Sequence, residues 1–436
     1  MAPNRTSLSK LSLRGGGPLR AFLTTELAGG VVLLVATIAA LVWANSPWHA
    51  GYETLWHTVV DVGIGAHRFE LDLREWVNDG LMAIFFLVVG VEIKRELVHG
   101  ELRDPRRAAL PVLAAVGGMV VPAILYAAIN VGGDGAEGWA IPMATDIAFA
   151  LGVLALVAPR APSALRLFLL TLAIVDDIGA IVVIAVFYSS GLHLGWLLAA
   201  VGALLSVYLF RRNGLHYPPI FVVLGVFTWF ALHESGVHAT LAGVAMGLLA
   251  PAAPLLGPSD LEARADELLD VSSPRAAKAT TQLVRQSISR LEWLEYGLHP
   301  WSSLLIVPLF ALANAGVRLG GADALDSVTS SVATGVVVGL VVGKLVGITG
   351  AAWLACHFGV ARRDPQLRWL DILGVAALGG IGFTVSLFIT ELAFDDARIT
   401  DQAKLGILAA SVLASMLGAL VLRSTGAGRS VDGQPA

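Results

Sequence analysis

The sequence contains few charged residues and almost no cysteine. Only 14% of its 436 residues are Asp, Glu, Lys or Arg, against roughly 25% in an average soluble domain, whereas 56% are hydrophobic. The single cysteine excludes a disulfide framework and a cysteine-based metal cluster. Lys and Arg total 29 and Asp and Glu total 33, so the net charge of −4 offers no basic surface for nucleic acid. This composition predicts a membrane protein.

Twelve apolar runs approach the ~20 residues that a helix needs to cross a bilayer. They lie at about 27–45, 76–98, 108–130, 138–157, 167–189, 195–211, 217–233, 237–255, 298–317, 331–357, 370–391 and 403–422. They predict an all-α polytopic membrane protein, with one transmembrane domain at 27–422 between an N-terminal tail, 1–26, and a C-terminal tail, 423–436. The first run exceeds the ~7 to 15 apolar residues of a secretory signal, so we interpret it as a retained helix.

Lys and Arg concentrate on one side of the predicted spans. Of the 29, 23 fall in the two tails and the connections on their side, five fall in the opposite connections, and Lys344 lies inside a span. The positive-inside rule therefore places both termini in the cytoplasm.

Two polar connections are long. In the outer one, residues 46–75, a loose alternation over residues 55–64 and two glycines before a second alternating stretch fit a two-stranded β-ribbon and an irregular loop about equally well. The inner one, residues 256–297, begins with Pro and Ser. Its later apolar spacing predicts a linker followed by an amphipathic helix, through Leu283, Ile288, Leu291 and Leu294.

Ionisable residues inside the spans are the candidates for function, because a charged side chain at a helix centre costs roughly 2.5 to 3.5 kcal/mol on insertion scales. The fifth span contains the adjacent Asp176 and Asp177, and the tenth contains Lys344 near its centre. At about 100° apart on a helix, the two carboxylates point to neighbouring faces, so one can reach a cavity and the other a second helix. We expect Lys344 to find its counter-ion there. A neutral structural aspartate pair and an interfacial anchor at Lys344 are the alternatives.

Two spans contain residues that interrupt a helix. In the fourth, Pro142 removes a backbone donor ahead of Thr145 and Asp146, which predicts a break and a carboxylate facing a half-helix N-terminus. An ordinary N-cap is the simpler interpretation of the Thr-Asp pair. In the eleventh, the interruption consists of three glycines, for which close helix packing is the alternative: Gly379, Gly380 and Gly382.

Spans three to five and ten to twelve therefore each form a trio with an interrupted middle helix, and the two trios begin on opposite faces of the membrane. Secondary transporters use such inverted-topology repeats, with interrupted helices that cross at a site near the bilayer midplane. Direct residue identity between the trios is too weak to establish a repeat, so this prediction depends on position and interruption.

Several blocks, in order along the chain, resemble the bacterial NhaA sodium/proton antiporters, which are a standard example of inverted repeats. The blocks span about residues 20–422 and read NDGLMAIFFLVVGVEIKRE from 78, MATDIAFALGVLAL from 143, AIVDDIGA from 173, GVHATLAG from 236, LHPW from 298 and FALANAG from 310. The resemblance implies a pH-regulated secondary antiporter of the bacterial cytoplasmic membrane. It would export Na⁺ and Li⁺ in exchange for external H⁺, without a cofactor.

Carried over position by position, the resemblance implies roles for particular residues. Asp176 and Asp177 would carry the cation and the protons, with Asp177 the direct sodium ligand. Thr145 and Asp146 would line the site, and Lys344 would pair with Asp176 or offset the negative helix ends. A homodimer to which the 46–75 ribbon contributes is also implied.

The resemblance also implies four residues for pH sensing: Glu92, Glu96, Glu295 and His238. For these, solvated ion pairs and a packed histidine are the simpler interpretations. The chain has Tyr296 where the family often has His, and Glu234 where the family often has Lys, so the pH set-point does not carry over.

Competition for one site would drive the exchange. Two carboxylates held together out of water repel each other and titrate as a coupled pair, so protons and sodium ions exclude one another there. Rocking of one helix group against the other would expose the site to each side in turn. More than one proton per cation would make transport electrogenic, and equal flux at all membrane potentials would contradict this.

Three other functions fit the sequence less well. A sodium-coupled solute symporter needs a larger polar pocket than these spans provide. An intramembrane aspartyl protease needs two aspartates that face each other from separate helices, whereas Asp176 and Asp177 are adjacent. A membrane scaffold leaves the free-energy cost of four buried charged groups unexplained.

Overall fold

The structure, a computed structural model, describes residues 17–64, 67–215, 217–252, 289–319 and 327–424. Most of the 256–297 connection and the outer parts of both predicted tails lie outside these residues. The first half of the chain forms α1 Gly17–Ala44, α2 His49–Trp56, α3 Met82–His99, α4 Pro105–Ile129, α5 Ile147–Val157, α6 Ser163–Phe187, α7 Leu194–Arg212, α8 Pro218–Glu234 and α9 Leu241–Leu248. The second half forms α10 Arg290–Asn314, α11 Ser331–His357, α12 Trp369–Leu378, α13 Phe383–Ala393 and α14 Ala397–Ser424.

Shorter segments complete this architecture. Two strands, β1 Val59–Ile64 and β2 His67–Asp72, pair antiparallel between α2 and α3. A capping box between Asp72 and Glu75 then starts a short helical turn that leads into α3. Single π-helical turns lie before α3, within α10 and within α11, at Trp76–Leu81, Ser302–Ile306 and Val338–Gly343. The placement of the strands outside the membrane stays a prediction.

Each predicted apolar run coincides with a helix or with an interrupted pair of helices. By length and composition, six described helices are able to cross a membrane, or up to nine if each of three bent pairs counts as one span. Several bounds differ from the sequence prediction; α14, for example, begins at Ala397 rather than near residue 403. α1 begins at Gly17 rather than near residue 27, because helix-forming Leu, Ala, Arg and Glu residues precede its apolar run. In the described part of the run at 237–255, which ends at residue 252, the helix is the eight-residue α9.

Close helix packing fixes α11 against α4. A Cβ atom at Gly117 would overlap the backbone oxygen of Gly347, and a Cβ atom at Gly347 would overlap the backbone oxygen of Gly117. The absence of side chains at both positions therefore lets the two helices approach closely along their length. Lys344 lies one turn before Gly347, so this contact fixes the position of Lys344 relative to α4.

Two helices are broken within the bundle. A 3₁₀-helical segment, Ala136–Met143, meets α5 at 42°, and α12 meets α13 at 46°. Pro142 lies inside the 3₁₀ segment, and the chain is extended just after it, at residues 144–146. The second break consists of residues 379–382, which include all three glycines that predicted it.

Candidate ion-binding site

The two breaks contact each other directly. The backbone nitrogen of Asp146 donates a hydrogen bond to the carbonyl oxygen of Ile381 at 2.6 Å. The Ser386 hydroxyl donates to the carbonyl oxygen of Ile141 at 2.7 Å and joins α13 to the 3₁₀ segment. Buried backbone N–H and C=O groups need hydrogen-bond partners, and these bonds supply partners for groups that the breaks leave outside a regular helix.

Asp146 lies where two half-helices begin. Its Oδ1 accepts a hydrogen bond from the backbone nitrogen of Phe149 and so caps α5. Its Oδ2 accepts from both the backbone nitrogen and the hydroxyl of Thr384, at 3.1 Å and 2.7 Å, in the first turn of α13. Helix N-termini carry partial positive charge, so this one carboxylate offsets two of them.

Asp176 forms a buried ion pair with Lys344. The Lys344 Nζ atom lies 2.5 Å from Asp176 Oδ2, and both side chains are fully buried. The Thr145 hydroxyl lies 2.7 Å from the same oxygen and 2.8 Å from the carbonyl oxygen of Gly379, so its single proton is shared between two acceptors. Asp176 is thus tied to α11 and to both breaks.

Asp177 faces a different way from Asp176 and lines a cavity of about 70 Å³. Thr145, Asp146 and Thr384 line the same cavity. The Asp177 Oδ1 atom is buried and has no hydrogen-bond partner among the described residues. A buried polar atom without a partner is costly, so this oxygen is placed to take a proton, a cation or a water molecule.

The site carries an excess of negative charge. Three buried carboxylates, Asp146, Asp176 and Asp177, face one buried ammonium group at Lys344. With all four ionised the net charge is −2, and either a monovalent cation or protons reduce it. Among the described residues, no group of three or more His, Cys, Asp or Glu side chains is placed to hold a metal ion. Carboxylate and hydroxyl side chains line the cavity, and their oxygens are the ligand types that a hard cation such as Na⁺ takes.

Three of the four predicted pH-sensing residues lie on α3 and α10. Glu92 lines the cavity, and its Oε1 atom lies 3.9 Å from His299 Nε2. Glu295 forms an ion pair with Arg95. Glu96 is buried and accepts a hydrogen bond from the backbone nitrogen of Glu101 at 2.7 Å, and its part in pH sensing stays a prediction.

His238 lies outside this group. Its Nε2 atom donates to the carbonyl oxygen of Tyr188, at the end of α6, at 2.6 Å. The Tyr188 hydroxyl donates in turn to the carbonyl oxygen of Glu137, in the 3₁₀ segment. The structure therefore does not bring His238 together with the three glutamates.

Sequence reasoning missed Thr384, Ser386 and His299 as contributors to the site. Thr384 and Ser386 lie just after the glycine break between α12 and α13, and Thr145 lies within the first break. A hydroxyl residue at each interruption was the available signal. His299 lies within a block that resembles the family, but its spacing alone gives no reason to assign it a contact with Glu92.

Comparison with known proteins supports the resemblance found in the sequence. The family model described as "Na+/H+ antiporter 1" matches residues 20–422. A protein named Na(+)/H(+) antiporter NhaA from Syntrophobacter fumaroxidans is 46% identical, over 95% of this chain and 92% of its own length. Similar proteins from Frankia alni and Rhodopirellula baltica are 45% and 46% identical, over 94% and 92% of this chain and 89% and 92% of their own lengths. The chain belongs to the Na⁺/H⁺ antiporter 1 family.

Proposed function

We propose that the protein is a secondary antiporter that exports Na⁺ from the cytoplasm in exchange for external H⁺, with Asp177 and Asp176 as the carriers. The observation that carries this proposal is Asp177, a buried carboxylate with one unpartnered oxygen in a small cavity at the crossing of two broken helices. The chain's family supports it. Li⁺ is a second substrate, because the same hard oxygens suit both alkali ions.

The size of the cavity favours an ion over an organic solute. Sites for small organic molecules are usually about 300 to 1,000 Å³, whereas this cavity measures about 70 Å³. A sodium-coupled solute symporter would need room that the site lacks. The size of the cavity and the chain's family both favour a transporter of ions over an enzyme.

We place the cavity on the cytoplasmic side. It is lined by the halves of α1, α3 and α10 that adjoin the basic connections, and the positive-inside rule puts those connections in the cytoplasm. Twelve spans, inverted repeats that contain the two broken helices, and cytoplasmic termini in a bacterial inner membrane complete the proposed topology. The bends of 42° and 46° in corresponding helices support the repeats.

Regulation by pH is assigned to the rim of the cavity. Glu92 and His299 lie close together beside the path to Asp177, and Glu295 pairs with Arg95 near them. A change in the protonation of these residues would change the electric field that an ion meets on its way to Asp177. His238 would act separately, through its bond to Tyr188.

We also propose a homodimer in which the β1–β2 hairpin takes part. Two paired strands leave one open edge on each strand, which a second copy is able to cover. Deleting residues 59–72 should reduce the mass of the particle in detergent to that of a monomer. An unchanged mass would contradict this role for the hairpin.

Flux measurements test the exchange itself. In proteoliposomes with an imposed pH gradient, Na⁺ should dissipate the gradient with the wild type. Asp177→Asn and Asp176→Asn should lose this activity, since neither amide exchanges protons or balances the cation. Electrogenic exchange also predicts that flux changes with membrane potential.

Asp371→Asn is the matched control. Asp371 is as buried as the two carriers, but it pairs with Arg368 at the start of α12 and does not line the cavity. This variant should retain Na⁺-dependent exchange. Full activity in both carrier variants would overturn the assignment of the site.

A further inference from the structure

Thr384 holds an unusual position among the residues that line the cavity. It occupies the first turn of α13, is 4% exposed, and contributes two hydrogen bonds to the same oxygen of Asp146. Its hydroxyl proton is therefore committed to a carboxylate. Both lone pairs of that hydroxyl oxygen stay available to a ligand in the cavity, which Thr384 lines together with Asp177.

We propose that Thr384 is a further cation-binding residue, whose hydroxyl oxygen coordinates Na⁺ beside the carboxylate of Asp177. Na⁺ is a hard cation and takes neutral as well as charged oxygens as ligands. A hydroxyl that donates to a carboxylate is polarised, so its oxygen becomes a better electron donor. This inference rests on the proposed function and adds a ligand to the same site.

The hydroxyl of Thr145 is held between two acceptors on different segments, so it has less freedom to turn its lone pairs toward the cavity. It lies within hydrogen-bond distance of both Asp176 Oδ2 and the Gly379 carbonyl oxygen, and it packs between them. Among the described residues, the Thr384 hydroxyl has one acceptor, Asp146 Oδ2. The geometry thus places Asp177 and Thr384 as two oxygen donors from different helices, α6 and α13.

The test compares three variants in proteoliposomes. Thr384→Val keeps the shape of the side chain but removes the hydroxyl, and should raise the KM for Na⁺ about tenfold, the scale of a lost interaction with a charged group. Thr384→Ser keeps the hydroxyl and should keep a KM close to that of the wild type. Thr390→Val is the matched control, because Thr390 is buried on the same helix and its hydroxyl donates to the Ser386 carbonyl oxygen.

A thermal unfolding curve separates binding from folding. The inference requires a raised KM for Thr384→Val in protein that is still folded at the assay temperature, with KM values close to that of the wild type for Thr384→Ser and Thr390→Val. The Tm of the valine variant should fall, because the hydrogen bond to Asp146 is lost. If the valine variant does not fold, Thr384→Ala replaces it, with the same expected change in KM. Calorimetric titration of the purified protein with NaCl should show the same loss of affinity.

Two results would overturn the inference. One is a wild-type KM in Thr384→Val or Thr384→Ala, and the other is an equal rise in KM in Thr384→Ser or Thr390→Val. A wild-type protein that does not exchange Na⁺ at all would instead contradict the proposed function. The two failures are therefore distinguishable in one experiment.

Discussion

At the scale of single residues, Lys344 and Asp176 depend on each other. Both are fully buried, and each is the charged partner of the other at 2.5 Å. Replacing Lys344 by Met leaves a buried carboxylate without its cation, so we expect the free energy of unfolding to fall by about 3 to 5 kcal/mol. Denaturant titration in detergent measures this change.

The double variant Lys344→Met with Asp176→Asn provides the control for that prediction. Since the neutral amide no longer needs a counter-ion, the double variant should recover much of the lost stability. Additive losses from the two substitutions would show that the ion pair is not what stabilises this part of the bundle.

At the scale of elements, the contact between α4 and α11 positions the lysine. A Cβ atom at Gly347 would overlap the backbone oxygen of Gly117, so Gly347→Ala must push the two helices apart. We expect a loss of about 1 to 3 kcal/mol in unfolding free energy, as for other overpacked contacts. Transport should fall as well, because Lys344 moves with its helix.

Gly350→Ala is the matched substitution, three residues along the same helix. A Cβ atom there would meet nothing within 4 Å. This variant should be as stable as the wild type, or more stable by up to about 1 kcal/mol, because alanine favours helix over glycine. Equal effects of the two substitutions would mean that the helix contact does not determine the position of Lys344.

The parts of the site that could be predicted from the sequence are those where a residue conflicts with its surroundings. Asp176, Asp177 and Lys344 are charges within apolar runs, and the three glycines and Pro142 interrupt runs that otherwise favour helix. Each conflict is local and visible along the chain. The two broken helices follow from the same reasoning.

The rest depends on contacts between distant segments. Thr384 looks like an ordinary helical threonine, and its bond to Asp146 exists only because the two breaks cross. Hydropathy also misplaced the start of α1 and the length of α9, because apolar composition does not mark where a helix begins or turns.

At the scale of the whole molecule, the two ends of the site differ. The cavity adjoins α1, α3 and α10, whereas at the other end hydrogen bonds join the chain after α6 to the α8–α9 connection. Ser190 and His193 donate from their backbone nitrogens to the carbonyl oxygens of Gly236 and Ser235. If the site is exposed to each side of the membrane in turn, as we propose, this end would have to separate in the second state.

The most direct measurement is proton release on Na⁺ binding by the purified protein in weakly buffered detergent solution. If Na⁺ and H⁺ exclude each other at Asp176 and Asp177, adding NaCl should acidify the wild-type sample, and Asp176→Asn with Asp177→Asn should release no protons. Na⁺ binding by the wild type without acidification, or equal acidification by the double variant, would contradict the account.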